Sequence, residues 1–140
     1  MSTRVDFYLL ESGRRSPFEI TCRLAVKAWE RDQPVAIVAG STSDAAAIDE
    51  LLWRTPEGRF IPHGMTQPGS QESAPVTIGS IDSESTRAEV TINLSDDPIR
   101  HSGSRILEII AGVDEDAVRK GKKFNHYQQL GYRLEIHKLK

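Results

Sequence analysis

Val35-Ala36-Ile37-Val38-Ala39 is an unbroken run of small and β-branched apolar residues, with no polar position inside it. A strand with one wet face alternates apolar and polar side chains. A run without alternation belongs in the interior of a parallel sheet, covered on both sides. Just upstream, Asp32-Gln33-Pro34 closes a helical stretch, because proline lacks the amide that a continuing helix needs. The start of that helix is equally legible. Ser16 can accept from free first-turn amides, Pro17 suits the first helical position, and Glu19 completes a capping box. Ile20, Leu24, Val26, Ala28 and Trp29 supply its apolar face. Ahead of it, Val5-Asp6-Phe7-Tyr8-Leu9-Leu10 reads as a buried first strand, with Gly13-Arg14-Arg15 as the turn between them.

Downstream of the run, Gly40-Ser41-Thr42-Ser43 turns into a second helix, Asp44 to Trp53, with Ile48, Leu51 and Leu52 inward. The order strand, helix, strand, helix predicts one α/β domain over residues 1–140. Its central sheet is largely parallel, with helices on both faces. Phe60-Ile61-Pro62-His63 reads as a brief extended piece, and Gly64 to Ala74 as a surface loop. Val76-Thr77-Ile78 and Glu89-Val90-Thr91-Ile92-Asn93-Leu94 are two further strands, followed by a polar, turn-rich stretch from Ser95 to Ser104. Arg105-Ile106-Leu107-Glu108-Ile109-Ile110 suits helix or strand, and its β-branched content favours strand. A last helix begins at Val113-Asp114-Glu115-Asp116, acids at its positive end and lysines further along, and stops at Gly131. Tyr132 to Lys140 reads as a short edge strand.

Composition bounds the function classes. With 38% hydrophobic and 27% charged residues the chain can bury a core, and no apolar run approaches the roughly 18 residues that span a bilayer. Met1-Ser2-Thr3-Arg4-Val5 leads straight into the first strand without the apolar stretch of a signal peptide. Cys22 has no disulfide partner within the chain, so a reducing, cytoplasmic location without membrane attachment is expected. The net charge of −2 is uneven: residues 117–140 carry seven basic side chains against Glu135 alone, or +6, and the first 116 residues carry −8. A basic C-terminal element on an acidic body points to an anionic partner at that end. The near-neutral total argues against DNA as the main partner, since backbone binders usually carry a larger basic footprint, and no direct sequence-specific DNA binding is expected.

The common catalytic patterns are missing. Glu11-Ser12-Gly13-Arg14-Arg15-Ser16-Pro17 holds a single glycine, and neither a Rossmann glycine pattern nor a P-loop occurs. His63, His101, His126 and His137 are widely spaced, and one cysteine cannot build a structural zinc site. Ser43 and Ser104 lack a nucleophile-elbow context, and the pairs Asp49-Glu50 and Asp96-Asp97 read as helix-face and turn residues. No catalytic group, cofactor or metal is expected. The aromatic residues allow two readings. Trp53 and Phe60 bracket Arg54-Thr55-Pro56-Glu57-Gly58-Arg59, while Phe124 and Tyr127 lie three apart on the basic last helix. All four could be core. Alternatively they line an apolar pocket rimmed by lysines, suited to a peptide with acidic and aromatic residues.

The opening Val5-Asp6-Phe7-Tyr8-Leu9-Leu10, then Leu51-Leu52-Trp53 before Phe60-Ile61-Pro62-His63, and Tyr127 before Gly131-Tyr132 resemble the chi subunit of bacterial DNA polymerase III, in order and spacing over nearly the whole chain. The resemblance implies a non-enzymatic subunit of the clamp-loader complex. Its implied partners are the psi subunit, the acidic C-terminal tail of single-stranded DNA-binding protein, and a repair helicase. It also implies a tail-binding pocket with Phe60 and the aromatic and basic residues of the last helix, here Phe124 with Lys120, Lys122 and Lys123, and Trp53 and Tyr127 are expected to belong to the same site. Three positions depart from the family pattern: Phe124 stands where tyrosine is usual, Gly121 where arginine is usual, and Asn125 replaces a basic residue. A degenerate nucleotide-binding enzyme and a direct single-stranded nucleic-acid binder are the rival readings.

Overall fold

The structure, a computed structural model, describes residues 3–11, 16–54, 62–65, 75–80, 88–99 and 103–139. Among the described residues seven strands form one sheet: β1 (Arg4–Leu10), β2 (Val35–Val38), β3 (His63–Met65), β4 (Val76–Gly79), β5 (Val90–Asn93), β6 (Arg105–Ala111) and β7 (Arg133–Leu139). Their order is β3-β4-β2-β5-β6-β1-β7 and every pairing is parallel. The unbroken Val35–Val38 run sits third from one edge with all four residues buried, the environment that a run without alternation requires.

Helices α1 (Pro17–Glu30) and α2 (Thr42–Arg54) pack on one face, and α3 (Glu115–Arg119) and α4 (Lys122–Gln129) on the other. Strand pleating splits the core accordingly. Leu10, Ile37, Ile92 and Leu107 point toward α1 and α2, whereas Val5, Phe7, Leu9 and Ile106 point toward Val118, Phe124 and Tyr127. The Ser16 hydroxyl accepts from the amides of Phe18 and Glu19, with Pro17 at the first helical position, as the local sequence requires. Gly131, at φ +78°, follows the end of α4 in the left-handed conformation that ends helices on glycine.

The structure corrects two expectations. Gly64 and Met65, read as the start of a surface loop, belong to β3 and pair with Thr77 and Ile78 of β4. The stretch read as a single last helix is two, broken at Gly121. Gly121 N–H turns back to the Val118 carbonyl, and a Cβ at this position would stand 3.2 Å from Val118 O and 3.4 Å from Ala117 O. Here the chain passes too close to the preceding turn for most side chains to sit at ease. Asn125 belongs to the same joint: its side-chain amide donates to the Gly121 carbonyl at 2.9 Å. The extended piece expected at Phe60 to His63 falls partly outside the described residues, and β3 begins at His63.

Candidate peptide-binding cleft

A cleft of about 410 Å³ opens beside the joint between α3 and α4. Phe7, Ile109 and Ile110 contribute from the sheet, Val118 and Phe124 from the two helices, and Leu94 from the turn after β5. Lys122 and Lys123 line it as well. The Phe124 ring packs against Phe7 with centroids 5.6 Å apart, and the Arg119 guanidinium lies 5.6 Å from its centroid. The wall is therefore largely apolar, with Arg119 and Lys122 beside it and Ser95 and Asp96 also in its lining.

A buried polar network holds that wall in place. Glu108, fully buried in the middle of β6, accepts from Lys123 Nζ at 2.8 Å, from the Tyr127 hydroxyl at 2.6 Å and from Asn93 Nδ2 at 2.9 Å. Lys123 also donates to the Ser95 carbonyl, and Tyr127 Oη accepts from the Ile99 amide at 2.8 Å. Asn93 reaches on to the Asp97 carbonyl and accepts from the Ser95 amide and hydroxyl. The network thus ties α4 to β5, to β6 and to the turn that follows β5. Burial pushes the Glu108 carboxyl above its ordinary range, against the pull of the Lys123 ammonium and the three hydrogen bonds.

The residues named from sequence divide by position. Lys122, Lys123 and Phe124 come together in the cleft. The Lys122 ammonium stands exposed, 3.0 Å from Asp97, and Lys120 is exposed at the end of α3. Lys123 is different, because its ammonium is taken up by Glu108 and the Ser95 carbonyl. Tyr127 has no exposed surface and braces the cleft from beneath. Trp53 lies apart from them. It ends α2 on the opposite face and is 58% exposed, its ring 4.6 Å from that of His63 in β3. β3 is separated from β6 by three strands, roughly 19 Å at the usual strand spacing. Phe60 lies outside the described residues.

Sequence reasoning missed Ile110, Val118 and the Glu108 network. A signal for the network was present: a glutamate inside Ile106-Leu107-Glu108-Ile109-Ile110 is a charge on a buried strand, and such a charge requires a cation and hydrogen-bond donors. Among the described residues no helix is long and apolar enough to cross a membrane.

The comparisons with known proteins agree on one family. The family model described as DNA polymerase III chi subunit, HolC, matches residues 1–135. The DNA polymerase III subunit chi of Pseudomonas aeruginosa is 32% identical, covering 98% of this chain and 97% of its own length. Its counterpart in Haemophilus influenzae is 29% identical, with 93% and 91% covered, and that of Escherichia coli 26% identical, with 91% and 92% covered. A parallel α/β sheet matched over nine-tenths or more of the chain by three DNA polymerase III chi subunits has one assignment: the chain belongs to the DNA polymerase III chi subunit family.

Proposed function

We propose that this chi-family chain is a non-catalytic adaptor with two separate protein-binding surfaces. One takes the acidic C-terminal tail of single-stranded DNA-binding protein, and the other takes the psi subunit, so that the clamp loader is linked to coated single-stranded DNA. The observation that carries the reading is the cleft between α3 and α4, where an apolar floor of Phe7, Ile110 and Phe124 lies beside the exposed ammonium of Lys122. A short peptide with carboxylates next to an apolar or aromatic terminus matches that pairing of charge and grease.

The psi-facing surface in this proposal is the β3 edge. Trp53, at 58%, and Met65, at 40%, are among the most exposed large apolar side chains of the described residues. Exposed tryptophan flanked by apolar neighbours is what a protein partner usually covers.

Isothermal titration of the tail peptide tests the cleft. Phe124→Ala is a poor probe because it also empties the core beside Phe7, at a cost of about 3–5 kcal/mol in stability. Charge reversal of Lys120 and Lys122 leaves the core alone. It should weaken the peptide at least several-fold at low salt and less at high salt. Unchanged affinity in that double variant would place the tail elsewhere.

A further inference from the structure

On the α1 side of the sheet, strand register aligns three arginines. Arg4 of β1 stands opposite Arg105 of β6 and opposite Arg133 of β7, giving a row Arg105, Arg4, Arg133 across three adjacent strands. Two carboxylates answer them. Asp6, wholly buried, accepts from Arg4 Nε at 3.1 Å, Arg105 Nε at 2.8 Å and the His137 ring at 2.8 Å. Glu135 takes Arg4 at 2.6 Å and lies 3.6 Å from Arg133. Positive charge is left over even with His137 neutral, and Arg133 keeps 71% of its side chain in solvent. Further along the same face, Tyr8 and His137 stack with centroids 5.1 Å apart and planes 23° apart, both partly exposed. Among the described residues helix α1 packs across β2, β5 and β6, and the Arg4 and His137 side chains keep part of their surface in solvent.

The side-chain oxygens of Asp6 and Glu135 and a His137 ring nitrogen fall within 4.8 Å of one another, yet the cluster does not suit a metal. The guanidinium groups already on Asp6 would repel a cation, and they favour an anion. We propose that this face binds single-stranded DNA, with the arginine row on backbone phosphates and the Tyr8–His137 pair as a stacking surface for a base. Charge complementarity calls for a polyanion, and the ring pair distinguishes a nucleic acid from an acidic peptide. A chain of the replicative polymerase works where such a strand is at hand. The site is distinct from the cleft and stands or falls independently of it.

The test is fluorescence anisotropy of the full chain with a labelled oligothymidylate of about 16 nucleotides, titrated across a salt series. Three phosphate contacts predict that log K falls against log salt with a slope of about −2, and that Arg4→Ala and Arg133→Ala each reduce the slope by about 0.7. His137→Ala should weaken the oligonucleotide roughly tenfold and leave an abasic strand of the same length unaffected. Thermal melts and tail-peptide titration of each variant report folding and the other site separately, and Arg133→Ala, at an exposed position, provides a variant expected to fold normally. No binding at low salt overturns the proposal. So does equal affinity of wild type and Arg133→Ala, or an acidic peptide that displaces the oligonucleotide from this face at equal concentration.

Discussion

Two buried carboxylates on β1 and β6 respond to pH in opposite directions. Burial alone would raise Asp6, but hydrogen bonds from His137, Arg105 and Arg4, with the Arg105 charge, outweigh it and hold the carboxyl below its ordinary 3.8. Its contribution to stability is therefore present above that value and is lost as pH falls through the lowered one. Glu108 is raised above its ordinary 4.5, with burial the largest cause. The folded chain keeps this proton to higher pH than the unfolded chain. That contribution is complete below 4.5 and fades as pH rises toward the raised value. Melting temperature against pH should lose part of its acid-side fall in Asp6→Asn and part of its decline above pH 4.5 in Glu108→Gln. Curves parallel to wild type would show that neither group is linked to folding in this way. Lys123→Met should cost about 3 kcal/mol in urea unfolding, because it leaves the Glu108 charge buried without its cation. Adding Glu108→Gln should return part of that loss.

Among the elements, the joint between α3 and α4 decides the shape of the cleft. Gly121→Ala should lower stability modestly, since its Cβ would crowd the Val118 carbonyl at 3.2 Å. Asn125→Lys removes the bond to the Gly121 carbonyl. It should cost about 0.5–1 kcal/mol, measurable as a shift in the urea midpoint without a change of slope. Most elements were legible because their signals are local. Ser16-Pro17 caps α1 by residues that touch one another, and the Val35–Val38 run needs no distant partner to be read as interior strand. The β-branched content of Arg105 to Ile110 identified β6 correctly. The break at Gly121 was not legible, because a lone glycine between lysines fits the interior of an exposed helix as well as a joint. What marks the joint is the approach of the Val118 carbonyl, which exists only once the chain has folded.

Over the whole molecule, sheet order separates the aromatic residues that sequence grouped together. Trp53 and Phe124 both looked like pocket residues, and nothing in their local sequence tells which strand lies at which edge. The order β3-β4-β2-β5-β6-β1-β7 puts the strand beside Trp53 at one margin and the cleft toward the other. Nothing local reveals the partner of Lys123 either: Glu108 is 15 residues away, on another element. The central claim is that the tail and the psi subunit use these two separate surfaces. Its most direct test titrates both ligands, the acidic tail peptide and psi, into Trp53→Ala and into the double charge reversal at Lys120 and Lys122. The account predicts that Trp53→Ala weakens psi by tenfold or more, as expected for an aromatic hot spot, and leaves the tail peptide at wild-type affinity. The lysine variant should do the reverse. Loss of tail binding in Trp53→Ala, with no effect of the lysine reversal, would contradict it.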